Sequence, residues 1–327
     1  MKLKKKLLPL ATIASLMLTT SLSFAVPNDS AKYEKIFLNR VDSVRSMEHI
    51  KVLSEDIGPR IAATDEEYQG ALYVASEFKK LGYDVNIQPF TYNRGGVDYT
   101  SWNVVASLKP WTKGNKIDKN DSNEIVHVTA HHDSVKNAPG ANDNSSGTAS
   151  LLEIAKAMHN IDIDKEVRFI ATGAEEVGLR GSSAYVNSLT EDEIERSVGC
   201  FNLDMVATAY APASELAVYT SDGRENVVTD AMKQAGEILS NLSTDTVEYN
   251  GEYDGPMGSS DHVPFTNKGI PAALFINVDP SKKDDPRSAI EPYYHKPDDH
   301  TGNVSTERLE RTIKLTGLAI LQTLNVD

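Results

Sequence analysis

Cysteine is almost absent: Cys200 stands alone in 327 residues, so no internal disulfide can be drawn and the chain must fold on its apolar core. Basic side chains are also short, 33 against 47 acidic ones, for a formal charge of −14. That deficit argues against nucleic acid or an anionic membrane surface as a partner, because phosphate binding draws on clustered Lys and Arg. Aromatic residues make up only 7%, and 20 glycines with 14 prolines are too few for a collagen-like or low-complexity chain. The uncharged run 7–22 falls short of the ~20 residues a membrane span needs, and Pro9 and several Ser and Thr dilute it further. What is present is an ordinary globular composition, 40% apolar. A domain of ~250–300 residues buries a large core without a structural metal, so any metal held here is expected to be functional.

The uncharged run has a different reading. Lys2, Lys4, Lys5 and Lys6 precede it, and Ser23-Phe24-Ala25 offers a small-x-small cleavage site before Val26. Residues 1–25 are therefore expected to be a secretory signal peptide, with no cysteine after it to receive a lipid. The remaining 29 basic and 47 acidic residues carry −18, and the mature protein is expected outside the cell, free of the membrane. Cys200, in the strand-like Val198-Gly199-Cys200-Phe201, reads as a buried, inert thiol.

Residues 32–56 place apolar side chains near helical spacing and end at Gly58-Pro59. Thr64 followed by Asp65, Glu66 and Glu67 is an N-cap with an acidic first turn, for a helix that stops at Gly82. Strand-type runs cover 84–92, 103–108, 125–130, 167–172, 200–205, 216–219 and 272–278. Helical runs cover 148–158, 191–197, 225–239 and 306–324, and residues 113–124 read as a polar surface loop. Alternating strands and helices predict an α/β fold, a single globular domain with a largely parallel, mixed central β-sheet flanked by helices. The expected division is signal peptide 1–25, a helical segment 26–45 that is either retained or a propeptide, and a catalytic domain 46–327.

In such sheets ligands bind outside the carboxyl ends of the strands. Five stretches carry metal- and proton-binding groups there: His131-His132-Asp133-Ser134, Gly140-Ala141-Asn142-Asp143, Gly173-Ala174-Glu175-Glu176, Asp204, and Tyr294-His295. Imidazoles and carboxylates gathered from different strand ends suit zinc better than calcium or magnesium, which prefer oxygen ligands alone. Each stretch alone is weak evidence; together they point to a catalytic metal.

These stretches, with Asn202-Leu203-Asp204-Met205 and Ser260-Asp261-His262-Val263-Pro264-Phe265, occur in the order found in metallopeptidase family twenty-eight. The chain resembles that family's co-catalytic zinc aminopeptidases, secreted bacterial leucyl aminopeptidases among them, over residues 46–327. The resemblance implies a zinc-exopeptidase, phosphorylase/hydrolase-like fold and two zinc ions per subunit. One would be held by His131 and Asp204, the other by Glu176 and His295, with Asp143 bridging. Glu175 would be the general base and Tyr294 a hydrogen-bond donor to the oxyanion. Asp133 and Asp299 would orient ligand imidazoles, Asp261 and His262 would line or brace the crevice, and His132 would be structural or solvent-facing. Three positions depart from common family patterns: Ala63 where relatives have Gly after Pro-Arg-x-Ala, His300 where Thr is usual, and Ser259 where some have Arg. None removes a ligand.

The function expected is a secreted metallo-aminopeptidase acting on peptides with a free amino terminus. A carboxypeptidase or glutaminyl cyclase on the same fold, or a non-catalytic binding ectodomain, are the alternatives, disfavoured because every ligand position and Glu175 are filled. Oligomeric state stays open, with a monomer as the default.

Overall fold

The computed structural model describes residues 29–110, 123–242, 251–282 and 286–324. The expected signal peptide and most of the charged loop 113–124 lie outside the described residues.

Four apolar runs form the centre of the molecule. β3 (Ile125–His131), β4 (Glu166–Thr172), β5 (Ser197–Leu203) and β8 (Ala272–Val278) pair in the order β4-β3-β5-β8, all parallel. Every residue of β3 and β8 is buried, the pattern of strands covered on both faces. Antiparallel strands close both sides. β1 (Asp84–Arg94) and β2 (Val97–Leu108) form a hairpin whose inner strand runs against β4; β6 (Glu215–Thr220) runs against β8, with β7 (Tyr253–Pro256) parallel beside it. The result is one mixed eight-stranded sheet, as the element pattern predicted.

One face carries α1 (Asp29–Arg40), α2 (Ser43–Lys51), α3 (Asp65–Lys80), α4 (Gly147–Met158), α7 (Val227–Leu242) and α10 (Thr306–Leu324). Phe37, Phe78, Leu151, Met232 and Ile313 from these helices share a core with Val126, Val128 and Phe201 of the strands. The opposite face is thinner: α5 (Arg180–Ser188) and α8 (His262–Asn267) cover Ile170 and Cys200 through Tyr185, Val186 and Phe265. Short helices α6 (Glu191–Arg196) and α9 (Pro286–Ala289) complete the elements.

Residues 29–45 pack on the same body as the rest. The Phe37 ring lies so close to α10 that a Cβ at Gly317 would sit 1.8 Å from it. Arg45 makes a two-pronged ion pair with buried Glu153 of α4, at 2.8 and 2.5 Å. The helical stretch expected over 32–56 breaks at Val41-Asp42, where Asp42 accepts from the N–H groups of Val44 and Arg45 and caps α2. A wide π-turn, Val52–Ile57, then follows. β2 starts six residues before the expected 103, its first four residues, Val97-Asp98-Tyr99-Thr100, forming an exposed ribbon paired with β1. α5, α8 and β7 were not legible: α5 opens Arg-Gly-Ser-Ser, whose small side chains give little periodicity.

The turn into α3 shows one departure at work. Ala63 adopts φ 64°, a left-handed conformation that favours glycine, and its N–H donates to Glu67 Oε2 at 2.6 Å. A Cβ is disfavoured there by ~1–2 kcal/mol, partly offset by glycine's larger unfolded-state entropy. Ala63→Gly should therefore stabilise the fold by about 0.5–1 kcal/mol. Urea unfolding checks this, and a lower midpoint would mean that the Ala63 methyl packs favourably.

Candidate metal centre

The carboxyl ends of β3, β4 and β5 open at the same end of the sheet, and together they deliver four groups. His131 is the last residue of β3 and Asp204 follows β5, while Glu175 and Glu176 lie just past β4. Asp143 comes from the wide turn Ala141–Ser146 that leads into α4, and His295 from the exposed loop between α9 and the short turn Thr301–Asn303.

These side chains form two groups around one carboxylate. His131, Asp143 and Asp204 each present an atom within 4.8 Å of the others, and so do Asp143, Glu176 and His295. His131 Nε2 lies 3.3 Å from Asp143 Oδ1 and 3.4 Å from Asp204 Oδ1. His295 Nε2 lies 3.3 Å from Asp143 Oδ2 and 2.9 Å from Glu176 Oε2. All five ligand candidates read from the sequence are thus brought together, Asp143 in the middle. Asp143 Oδ2, Glu176 Oε1 and Asp204 Oδ1 are buried yet accept no hydrogen bond. Buried carboxylate oxygens without donors are costly, and a divalent cation between them and the two imidazoles would satisfy them. The donor set of neutral nitrogens and carboxylates fits zinc.

Both imidazoles respond to this company. Burial alone would lower the pKa of His131, but Glu175, Asp204, Asp133 and Asp143 outweigh it and hold it well above the usual range. His295, on the exposed loop, is pushed up to about 10 by Asp143 and Glu176 against the effect of desolvation. Asp143 itself is held low: burial opposes ionisation, but the two imidazoles beside its oxygens prevail. Burial and the Asp143 charge push Glu176 up to about 7. Glu175 is raised well above its ordinary range by desolvation, with His131 opposing and Asp261, Asp204 and Glu176 reinforcing.

The supporting groups act mainly on the backbone. His131 Nδ1 lies 3.1 Å from the Asp133 carbonyl and 3.5 Å from its carboxylate. The carboxylate of Asp133 also accepts from the N–H groups of Glu175 and Glu176, at 3.0 and 3.2 Å, and so sets the turn that carries both glutamates. Asp299 departs from expectation: it accepts from the N–H groups of Asn142 and Asp143, at 2.6 and 3.1 Å, and braces the shared carboxylate instead of an imidazole. Ser260 donates to Asp204 Oδ2 at 2.7 Å, leaving Oδ1 facing His131. Asp261 accepts from Thr172 Oγ1 and His262 Nε2 lies 2.6 Å from the Met257 carbonyl; both brace the crevice wall. His132 is fully buried on the Trp102 carbonyl, a structural position away from solvent.

The turn after β4 is built as its chemistry requires, by an unexpected route. Gly173 is needed for space, since a Cβ there would meet Ser101 Oγ, Glu67 Oε1 and the Trp102 carbonyl within 2.7 Å. The left-handed residue is Ala174, φ 51°, and Gly178, φ 106°, closes the turn back on the Glu175 carbonyl.

Sequence reasoning missed two supports. Glu67, read only as part of an acidic helix start, accepts from the Ala174 N–H at 2.9 Å and from Ser101. Burial and Asp133 push its pKa up to about 8. Arg60 is fully buried without a carboxylate in hydrogen-bond contact. Its guanidinium donates to the carbonyls of Leu53, Gly58, His132, Pro139 and Gly140 and to Ser145 Oγ, tying the loops that carry His131 and Asp143. A Pro-Arg motif was visible; its reach across three segments was not.

Four of the five candidate ligands, His131, Asp143, Glu176 and Asp204, line a cavity of about 390 Å³. Glu175 and Tyr294 line it too, with the apolar side chains of Met205, Met257, Leu274, Ile276 and Ile290 and with Ser259.

Comparison with known proteins bears on this arrangement. The model of peptidase family M28 matches residues 103–319. Aminopeptidase YwaD of Bacillus subtilis (strain 168) is 44% identical over 224 residues, 68% of this chain and 45% of that protein. The chain therefore spans under half the length of this curated relative. Among solved structures, BSAP, a zinc aminopeptidase from Bacillus subtilis, superposes with a TM-score of 0.77 at 30% identity, covering 87% of this chain and 95% of that one. An aminopeptidase from Aneurinibacillus sp. strain AM-1 gives 0.75 at 28% identity, covering 90% and 98%.

Because imidazoles must be neutral to bind metal, and both are protonated at neutral pH in the metal-free site, zinc has to displace protons. Apparent zinc affinity should rise with pH from 6 to 8, about tenfold per unit for each proton displaced. Competition against a zinc indicator at each pH measures it; a pH-independent affinity would contradict the protonation assigned to His131 and His295.

Proposed function

The chain belongs to peptidase family M28, and from that premise we propose a zinc-dependent aminopeptidase that removes apolar residues from peptides with a free amino terminus. The observation that carries the reading is the pair of ligand groups sharing Asp143 at a cavity that is also lined by Glu175 and by five apolar side chains.

Two zinc ions fit this set, one among His131, Asp143 and Asp204 and the other among Asp143, Glu176 and His295. When bound, zinc polarises the scissile carbonyl and brings the pKa of a water from ~15.7 towards ~7. Glu175 takes the proton of the attacking water and later passes it to the leaving amine. Asp133 and Glu67, gripping the N–H groups of residues 174–176, keep Glu175 facing the cavity while its neighbour faces the metal. Burial and the surrounding carboxylates hold the Tyr294 phenol in its protonated form, so it donates a hydrogen bond where negative charge develops on the carbonyl oxygen.

Substrate choice follows from the same walls. A protonated terminal amine is welcome among these carboxylates, and an acetylated one loses that attraction. Met205, Met257, Leu274, Ile276 and Ile290 favour an apolar first side chain. Among the described residues no Lys or Arg lines the cavity to receive a substrate carboxylate, which disfavours a carboxypeptidase. Both ligand groups are complete, which disfavours a single-zinc cyclase or a binding-only domain. We further propose that residues 1–25 direct export, so that the enzyme works outside the cell.

Leu-, Met- and Phe-nitroanilides should be cleaved at least ~10-fold faster than Lys- or Glu-nitroanilides, a difference within reach of apolar pocket contacts. Acetylated forms should be inert, and activity should vanish on chelation and return with zinc. Glu175→Gln should lower kcat by ~100-fold or more while zinc content stays at the wild-type level. Cleavage of acetylated substrates, or near-normal turnover by that variant, would overturn the assignment.

A further inference from the structure

The loop that carries Tyr294 and His295 is exposed from residue 292 to 298 apart from half-buried Tyr293, yet both of its ends are buried carboxylates: Glu291 is 3% and Asp299 1% accessible. Both ends grip the segment that supplies the shared ligand. Asp299 holds the N–H groups of Asn142 and Asp143. Glu291 Oε1 accepts from Asn142 Nδ2 at 2.9 Å, and its Oε2 accepts from Thr208 Oγ1. Asn142 in turn is fixed on the body, its Oδ1 accepting from the Ala207 N–H at 2.9 Å. Between these anchors the loop bonds mostly to itself, Lys296 N–H to the Tyr293 carbonyl and Asp299 N–H to the Lys296 carbonyl. Its middle meets the body where His295 reaches Asp143 and Glu176 and where the Tyr293 ring meets Tyr210.

We propose that Glu291 is a positioning residue for the second ligand group: by latching the loop to Asn142 and Thr208 it sets the reach of His295 toward Asp143 and Glu176. The inference rests on the two-metal reading above. His131 ends one central strand and Asp204 directly follows another, so neither needs the latch, whereas His295 has no regular element beneath it. Glu291 therefore governs one group of the pair. Asp299, which directs the carboxylate common to both, governs the two together.

The test is zinc retained per chain after dialysis against graded dipicolinate, read by elemental analysis, with melting of the metal-free proteins as a control for folding. Wild type should retain two ions when no chelator is present, and failure to do so there would sink the two-metal reading itself. Glu291→Gln, which keeps the shape but turns one acceptor into a donor, should give up one ion at about tenfold lower chelator and hold the other as wild type does. Asp299→Asn should weaken both. On a His295→Ala background, Glu291→Gln should change retention no further, as expected when one residue acts through another. If Glu291→Gln does not fold, Thr208→Val, which frees only Oε2, should shift the same ion in the same direction. Retention of both ions by the latch variants at wild-type chelator levels, or further loss on the His295→Ala background, would overturn the proposal.

Discussion

Keeping Asp143 ionised between two imidazoles, in a place that water barely reaches, is the constraint on which the rest of the centre depends. A buried carboxylate alone would take up a proton; here His131 and His295 approach its two oxygens from opposite sides and hold its pKa down. Its backbone N–H is spent on Asp299, so the side chain is aimed by its own main chain. The surroundings are rich in further carboxylates, and the fold answers their repulsion mainly with backbone donors. Asp133 takes two N–H groups, Glu67 two, and Asp299 two. The one fully buried guanidinium among the described residues, Arg60, sits behind the centre bound to carbonyls, a fixed cation facing the acidic cluster.

The same constraint explains where the backbone is strained. Ala174, Met205 and His295 all have φ between 51° and 60°, a region that disfavours a Cβ. Each is a candidate ligand or lies beside Glu175 or Asp204. A strand alternates its side chains between faces, so adjacent residues cannot both serve one cavity unless the chain turns sharply at the strand end. Left-handed residues at those ends supply the turn, and core packing together with the backbone bonds above holds them in place.

Much of the fold and most of the centre were legible beforehand because their signals are local. A strand buried on both faces has to be a continuous apolar run, as in β3 and β8, and a metal ligand has to be His, Asp or Glu at its end. The turn after β4 could be demanded from Glu175-Glu176 alone, although the left-handed residue proved to be Ala174. Elements with exposed or small side chains, such as the first half of β2 and α5, lack such signals. The supports were hidden for another reason: Glu67, Asp299 and Arg60 act, mostly over long stretches of chain, on backbone N–H and carbonyl groups that carry no residue-specific signal, and Glu291 acts on the distant side chains of Asn142 and Thr208. Asp299 was recognised as a helper and assigned to an imidazole, but its partners are the amides of Asn142 and Asp143.

The sequence by itself therefore determined the sheet-and-helix class and the identity and order of the chemical groups, since both follow from side-chain type and short-range spacing. Tertiary structure alone decided how closely Asp143 approaches both histidines and that Met, Leu and Ile side chains line the cavity. It also decided that backbone amides, more than charged side chains, steady the carboxylates. Those are matters of distance between segments far apart in the chain, and a linear pattern carries no measure of that distance.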